Sequence, residues 1–172
     1  GVKKPDALAT MIEDRPVIVV LSARKSPAWI AFMVAHELGH IHHGHVRSGQ
    51  TLVDEKFDTH EGDRDESQAN EFASQLLTGQ TDLGLHSHHR LNAFELAAST
   101  RVFATRYRVA PGVAALNYAF TTGFWPVANG ALRYLEGKDN ASAEMKDVAD
   151  AHLSKADLSD DAREYIARAT GA

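Results

Sequence analysis

The sequence predicts an α+β domain that is mostly helical, with a small sheet near its N-terminus. A short β-branched run from Pro16 to Leu21 has the composition of a strand that is buried or central in its sheet. Most of the remaining chain carries apolar residues at helical spacing, separated by Gly, Pro and polar stretches. The chain has 172 residues and no Cys, so we expect one compact domain that is stable without disulfides.

The first predicted helix runs from about residue 28 to residue 41. Ser26 followed by Pro27 supplies an N-cap and a first-turn proline, which are both typical of a helix start. Gly44 can take the left-handed conformation just beyond the helix end. Three apolar residues at helical spacing predict a buried face on this helix: Val34, Leu38 and Ile41. Trp29, Phe32 and Met33 are also expected in the core.

Further helices are expected along the rest of the chain. A second helix should begin at Arg64 and stop at Thr78-Gly79. It lies between two polar connections, 46–63 and 80–89, and the first of these has room for a short strand. Later helices are predicted over 91–107, 111–122 and 126–135, with Trp125-Pro126 at a turn, and two short surface helices within 141–169. We divide the chain into a main domain over 1–136 and a helical extension over 137–172 that packs on it.

Charge and composition exclude several classes of partner. The net charge is −5, from 18 basic and 23 acidic residues with His neutral, and a direct nucleic-acid partner would require a basic surface. No apolar run approaches the ~20 residues of a membrane helix, and no secretory signal follows the N-terminal lysines. We therefore expect a cytoplasmic protein that contacts neither membrane nor nucleic acid directly.

The segment His36-Glu37-Leu38-Gly39-His40 places two histidines four residues apart in the first predicted helix. Residues at this spacing lie one above the other, so both imidazoles can bind one cation. Glu37 lies about 100° around the helix from His36, where its carboxylate can reach a water on that cation without being a ligand. The pattern predicts a zinc site with Glu37 as proton acceptor.

A catalytic zinc site needs a third protein ligand, which the second predicted helix can supply. Glu66 shares a stripe with Ala69 and Ala73, whose small side chains allow close approach to the first helix. Asn70 lies one turn further on, where it can bind the outer nitrogen of a ligand histidine and fix its tautomer.

Two other acids are alternatives for the third ligand. Asp65 can point inward but has a shorter side chain, and Glu61 lies beside Gly62 in a polar stretch that does not favour a regular helix. We favour Glu66, because one helix face then supplies both the ligand and Asn70.

Three segments together resemble the ImmA/IrrE family of zinc metallopeptidases: the strand at 17–21, FMVAHELGH at 32–40 and ESQANEFASQLL at 66–77. The family's pattern is a His-Glu-x-x-His helix followed, after a loop, by Glu-x-x-Ala-Asn-x-Phe-Ala-x-x-Leu-Leu. This resemblance implies a zincin-like (thermolysin-like) core, with Glu37 as catalytic base and Zn²⁺ bound by His36, His40 and Glu66.

The resemblance also implies an activity and a partner. It implies a zinc-dependent metallo-endopeptidase that cleaves a helix-turn-helix transcriptional repressor in trans, which relieves repression of a mobile element or a stress response. Two alternatives stay open. One is a metal-binding regulatory module that sequesters a partner protein without cleaving it, and the other is a zinc hydrolase that acts on a non-peptide amide.

Other polar residues are weaker candidates for a role in the site. We expect the histidines at the end of the first helix to be exposed to solvent: His42, His43 and His45. Candidates for stabilising an oxyanion are His86, His88 and His89 in the polar connection, with Tyr107 and Tyr118 as alternatives whose rings would otherwise pack in the core.

Overall fold

A computed structural model of the chain describes residues 6–47, 51–53, 64–85, 90–152, 159–161 and 164. The strands among these residues are β1 (Ala7–Ile12), β2 (Arg15–Val20) and β3 (Thr51–Val53). The helices are α1 (Pro27–His42), α2 (Arg64–Thr78), α3 (Ala93–Tyr107), α4 (Pro111–Thr122), α5 (Trp125–Leu135) and α6 (Ala141–His152). This mostly helical chain with a small antiparallel sheet confirms the α+β class.

The sheet has the strand order β2-β1-β3, and both pairings are antiparallel. Glu13 and Asp14 join β1 to β2 with φ angles of 48° and 59°, the left-handed backbone that suits a two-residue hairpin turn. The β-branched run at 16–21 therefore belongs to an edge strand, and the prediction of a buried or central strand was wrong. The central strand is β1, in which Ala7 and Ala9 are fully buried.

Helix α1 begins and ends as the sequence predicts. The Ser26 hydroxyl accepts a hydrogen bond from the Trp29 backbone N–H at 3.2 Å, and Pro27 is the first helical residue. Gly44 follows the helix with a φ of 72°. The short strand β3 lies in the connection that had room for one, and α2 ends before Gly79, whose φ is 78°.

The predicted buried face of α1 was wrong. Leu38 is 39% exposed, and Val34 and Ile41 are only half-buried. The large apolar residues near the start of the helix are buried, as predicted: Trp29, Phe32 and Met33. The buried side continues with polar residues of the His-Glu-x-x-His segment: His36, Glu37 and His40.

Helices α3, α4 and α5 pack against one another and contribute much of the apolar core, which also receives Phe32 from α1. Their bounds agree with prediction to within two residues. Trp125, expected at a turn, is instead the first residue of α5, and its ring stacks on Trp29 with centroids 5.6 Å apart. Of the two surface helices expected after residue 140, α6 is described; the region of the other lies mostly outside the described residues.

The first turn of α1 is attached to the C-terminal half of the chain. The Ala28 N–H donates to the Glu136 carboxylate at 2.9 Å, and the Trp29 indole N–H donates to Asn129 Oδ1 at 3.0 Å. In addition, the Ala141 N–H donates to the Lys25 carbonyl at 3.0 Å. The division of the chain at residue 136 stays a prediction. Within the described ranges, no helix is both long and apolar enough to span a membrane.

Candidate metal centre

The centre lies where α1 and α2 pack against each other. Ala69 and Ala73 of α2 are fully buried, so the small side chains on this helix face the interior as the sequence predicts. Small residues at a helix crossing allow the two backbones to approach closely. This close approach brings the carboxylate of Glu66 to the histidines of α1.

Three side chains converge at this crossing. The Nε2 atoms of His36 and His40 are 3.0 Å apart. Each of them lies 3.3 Å from a carboxylate oxygen of Glu66, His36 from Oε2 and His40 from Oε1. Both histidines are fully buried and Glu66 is 7% exposed. The two nitrogens and one carboxylate therefore point toward a common position.

The spacing of these atoms can be compared with the needs of a metal ion. Ligand atoms bound to zinc at its usual distances, in a tetrahedral arrangement, are about 3.3 Å from one another. The separations of 3.0, 3.3 and 3.3 Å match that spacing, and all three residues supply a ligand atom within 4.8 Å of the others. These residues could hold a metal ion, and two imidazoles with one carboxylate form a donor set that suits zinc.

Glu37 lies in α1 next to His36, and it is completely buried. A carboxylate inside a protein is costly unless its charge is compensated. Its position one residue from His36 in the chain puts it about 100° around α1 from that residue, on a different line of the helix. Such a placement suits a proton acceptor better than a fourth ligand.

Asn70 contacts the outer edge of His36. Its Oδ1 atom lies 2.9 Å from His36 Nδ1. Because an amide oxygen can only accept, His36 donates this hydrogen bond and its Nε2 keeps a lone pair toward the centre. The structure thus brings Asn70 to the place that the helical stripe predicts for it.

His45 was expected to be exposed, and that prediction was wrong. Its side chain is only 8% exposed. The Nδ1 atom of His45 lies 3.0 Å from Nδ1 of His40, and its Nε2 atom lies 3.2 Å from Gln68 Oε1. His42 and His43 are exposed, as expected. The signal in the sequence that could have placed His45 is Gly44, which reverses the chain after α1.

The remaining candidates lie elsewhere. Asp65 is 57% exposed, and its carboxylate lies 3.5 Å from His45 Nε2 rather than in the cluster of Glu66 and the two ligand histidines. Tyr118 is buried in the core, as expected, whereas Tyr107 is 45% exposed at the end of α3, so the expected core position was wrong for Tyr107. Four candidates fall outside the described residues: Glu61, His86, His88 and His89.

Comparison with known families agrees with this geometry. The family model Peptidase_M78, described as the IrrE N-terminal-like domain, matches residues 3–117. The match spans most of the chain, which therefore belongs to this family of peptidases, as the motifs at 32–40 and 66–77 indicated. No curated protein and no solved structure matches the chain.

Proposed function

We propose that this protein is a zinc-dependent metallo-endopeptidase with a zincin-like (thermolysin-like) core. In this proposal His36, His40 and Glu66 bind the metal and Glu37 is the catalytic base. The observation that carries the proposal is the convergence of two imidazole nitrogens and one carboxylate, 3.0 to 3.3 Å apart. Glu37, the chain neighbour of His36, is fully buried. Membership of a peptidase family supports it.

Zinc is the metal that this donor set favours. Two His and one Glu are the ligands of several catalytic zinc sites, which leave the fourth position open. Thiolate ligands are excluded because the chain has no Cys. The burial of all three ligand residues keeps bulk water from competing for them.

Glu37 and Asn70 have different roles in the proposed reaction. Zinc held by His36, His40 and Glu66 would supply a Lewis acid that polarises the peptide carbonyl and lowers the pKa of a bound water. Glu37 takes the proton from the attacking water and returns it to the leaving amine. Asn70 holds the His36 ring, so that Nε2 of His36 keeps its direction during the reaction.

We also propose that the substrate is a helix-turn-helix transcriptional repressor. Support comes from the resemblance to the ImmA/IrrE family and from charge. DNA-binding proteins carry basic surfaces, and a chain with a net charge of −5 attracts such a partner over long range.

The experiment compares the parent protein with Glu37→Gln. Elemental analysis should find one zinc ion per chain in both proteins, because Gln keeps the shape of Glu and leaves the ligands unchanged. Cleavage of a repressor encoded beside this protein should fall by about 100-fold or more in the variant. Glu71→Gln, an exposed position on α2, is the matched control and should behave like the parent.

Three outcomes would count against the proposal. Absence of any transition metal, with no thermal shift when zinc is added, would remove the metal centre. Cleavage by Glu37→Gln at the parent rate would exclude Glu37 as the base. Zinc binding together with tight repressor binding and no cleavage would favour the module that sequesters its partner.

A further inference from the structure

We infer that His45 is a positioning residue of the metal centre, which accepts a hydrogen bond from His40 and thereby aims the His40 ring at the metal. The inference rests on the proposed function in one respect, namely that His40 binds a metal. It assigns a role to a side chain that belongs neither to the His-Glu-x-x-His segment nor to the Glu66 helix.

The position of His45 excludes it as a ligand at the same centre. His45 approaches Nδ1 of His40, at 3.0 Å. The ligand cluster lies on the other side of that ring, where Nε2 of His40 faces His36 and Glu66. The two nitrogens of an imidazole point in different directions, so His45 contacts the outer edge of His40 and not the metal position.

The hydrogen-bond pattern then fixes the protons. Two Nδ1 atoms in hydrogen-bond contact share one proton between them. When Nε2 of a neutral His40 binds the metal, the proton of that ring is on Nδ1, so His40 donates and His45 accepts. The His45 proton is consequently on its own Nε2, which faces two acceptors on α2: Gln68 Oε1 at 3.2 Å and Asp65 Oδ1 at 3.5 Å.

Each donor in this chain of contacts therefore meets an acceptor. The result parallels the contact on the other ligand, because His36 is held by Asn70 of α2 at 2.9 Å. Helix α2 thus orients both histidines of α1, His36 directly and His40 through His45. Neither ring can rotate without breaking a hydrogen bond to a largely buried partner.

The local fold places His45 there by reversing the chain. Gly44 has a φ of 72°, which turns the backbone at the end of α1, and the His45 N–H donates to the His40 carbonyl at 2.9 Å. His42 and His43 precede this turn and remain exposed beside the ring of Phe72. The His43 ring also stacks on the ring of His45, with centroids 5.5 Å apart. Among the three neighbouring histidines, it is His45 whose ring lies within hydrogen-bond distance of Nδ1 of His40.

The test measures zinc affinity of the full chain by competition with a chelator. His45→Ala should bind zinc about 10- to 100-fold more weakly, the usual loss when a partner of a ligand histidine is removed. His45→Asn should recover most of the affinity, because the amide oxygen of Asn occupies the place of Nδ1. His42→Ala, three residues away, exposed and packed beside Phe72, is the matched control and should match the parent.

A second measurement separates orientation from a general structural role. In zinc-loaded protein labelled with ¹⁵N, the Nδ1–H proton of His40 should exchange slowly in the parent and in His45→Asn, and rapidly in His45→Ala. Thermal unfolding of the metal-free proteins should differ little among the three. If His45→Ala does not fold, the zinc affinities of His45→Asn and His45→Gln are compared instead. His45→Asn should bind zinc more tightly, because only Asn places an acceptor at the Nδ1 position.

The outcomes distinguish this inference from the proposed function. Parent affinity in His45→Ala would overturn the role of His45 and leave the metal centre intact. Equal losses in His45→Ala and His45→Asn, with an equal loss of metal-free stability, would assign His45 a packing role and overturn the inference as well. A parent protein that binds no zinc would overturn the proposed function itself.

Discussion

Gly39 of α1 crosses directly over Ala69 of α2. A Cβ atom added to Gly39 would lie 2.9 Å from the Cα atom of Ala69 and 3.0 Å from its carbonyl oxygen. The helices therefore meet backbone against backbone at this point. His36 and His40 belong to α1 and Glu66 belongs to α2. The separation of the two helices at Gly39 therefore sets the distance between the histidine nitrogens and the Glu66 carboxylate.

Gly39→Ala should therefore weaken zinc binding by at least about 10-fold. In an exposed helix the same change stabilises by about 1 kcal/mol, whereas here forcing two backbones apart should destabilise by about 1–3 kcal/mol. Zinc competition and urea unfolding measure the two effects. Leu38→Ala, the neighbouring and partly exposed position, should leave zinc affinity unchanged. Parent affinity in Gly39→Ala would show that the centre tolerates a wider helix separation.

The choice of the third ligand can be tested with conservative variants. Glu66→Gln should lose zinc affinity by orders of magnitude, because an amide is a far weaker ligand than a carboxylate. Asp65→Asn should stay within about 10-fold of the parent, since Asp65 faces His45 and Gln68 still accepts from that ring. Glu61→Gln, at a position outside the described residues, is the third variant and should not lose zinc affinity by orders of magnitude. Near-parent binding by Glu66→Gln would assign the ligand to another acid.

Asn70 should contribute to zinc affinity only through its hydrogen bond with His36. Removing the acceptor in Asn70→Ala should weaken zinc binding by about 10- to 100-fold, while Asn70→Asp should keep most of the affinity because a carboxylate oxygen also accepts from Nδ1–H. Glu71→Ala, the exposed neighbour on α2, is the control. Chelator competition gives the affinities. Equal affinity for Asn70→Ala and the parent would mean that packing alone orients His36.

Asn117 should be important for stability rather than for the metal. Its buried amide donates to the Thr81 carbonyl at 2.7 Å and accepts from the Leu83 N–H at 3.1 Å, which fastens the segment after α2 to α4. Asn117→Leu would leave the buried Leu83 N–H without its acceptor, so urea unfolding should show a loss of about 2–4 kcal/mol. Thr121→Ala, one turn away and more exposed, should cost much less.

The parts of the molecule that sequence reasoning predicts well depend on local geometry. The bounds of α1 follow from Ser26, Pro27 and Gly44, which act within one turn of the helix. The stacking of His36 over His40 follows from the helical repeat. Which strand is central depends instead on pairing between distant segments. The alanines of β1 carry little strand preference, so the sequence gives no sign that they occupy the middle of the sheet.

The buried face of α1 was mispredicted for a reason that applies to metal centres in general. Hydrophobic periodicity assigns apolar residues to the core and polar residues to solvent. Here the polar residues His36 and Glu37 are fully buried while Leu38 is partly exposed. A ligand set has to be inside the protein to exclude water, and this requirement reverses the usual pattern at these positions. The burial of His45 has a different origin, namely the reversal of the chain at Gly44.

The anchoring of α1 by Glu136 and Asn129 has a consequence for the modularity of this architecture. The match to the family model ends at residue 117, but the acceptors for the first turn of α1 lie beyond that limit, Asn129 within α5 and Glu136 directly after it. The matched region and the contacts that hold the first turn of α1 thus have different limits in this chain. A segment that ends at residue 117 would contain every proposed ligand, and so would the α1–α2 pair placed in another scaffold. Both would lack the hydrogen bonds to Glu136 and Asn129 that hold the first turn of α1.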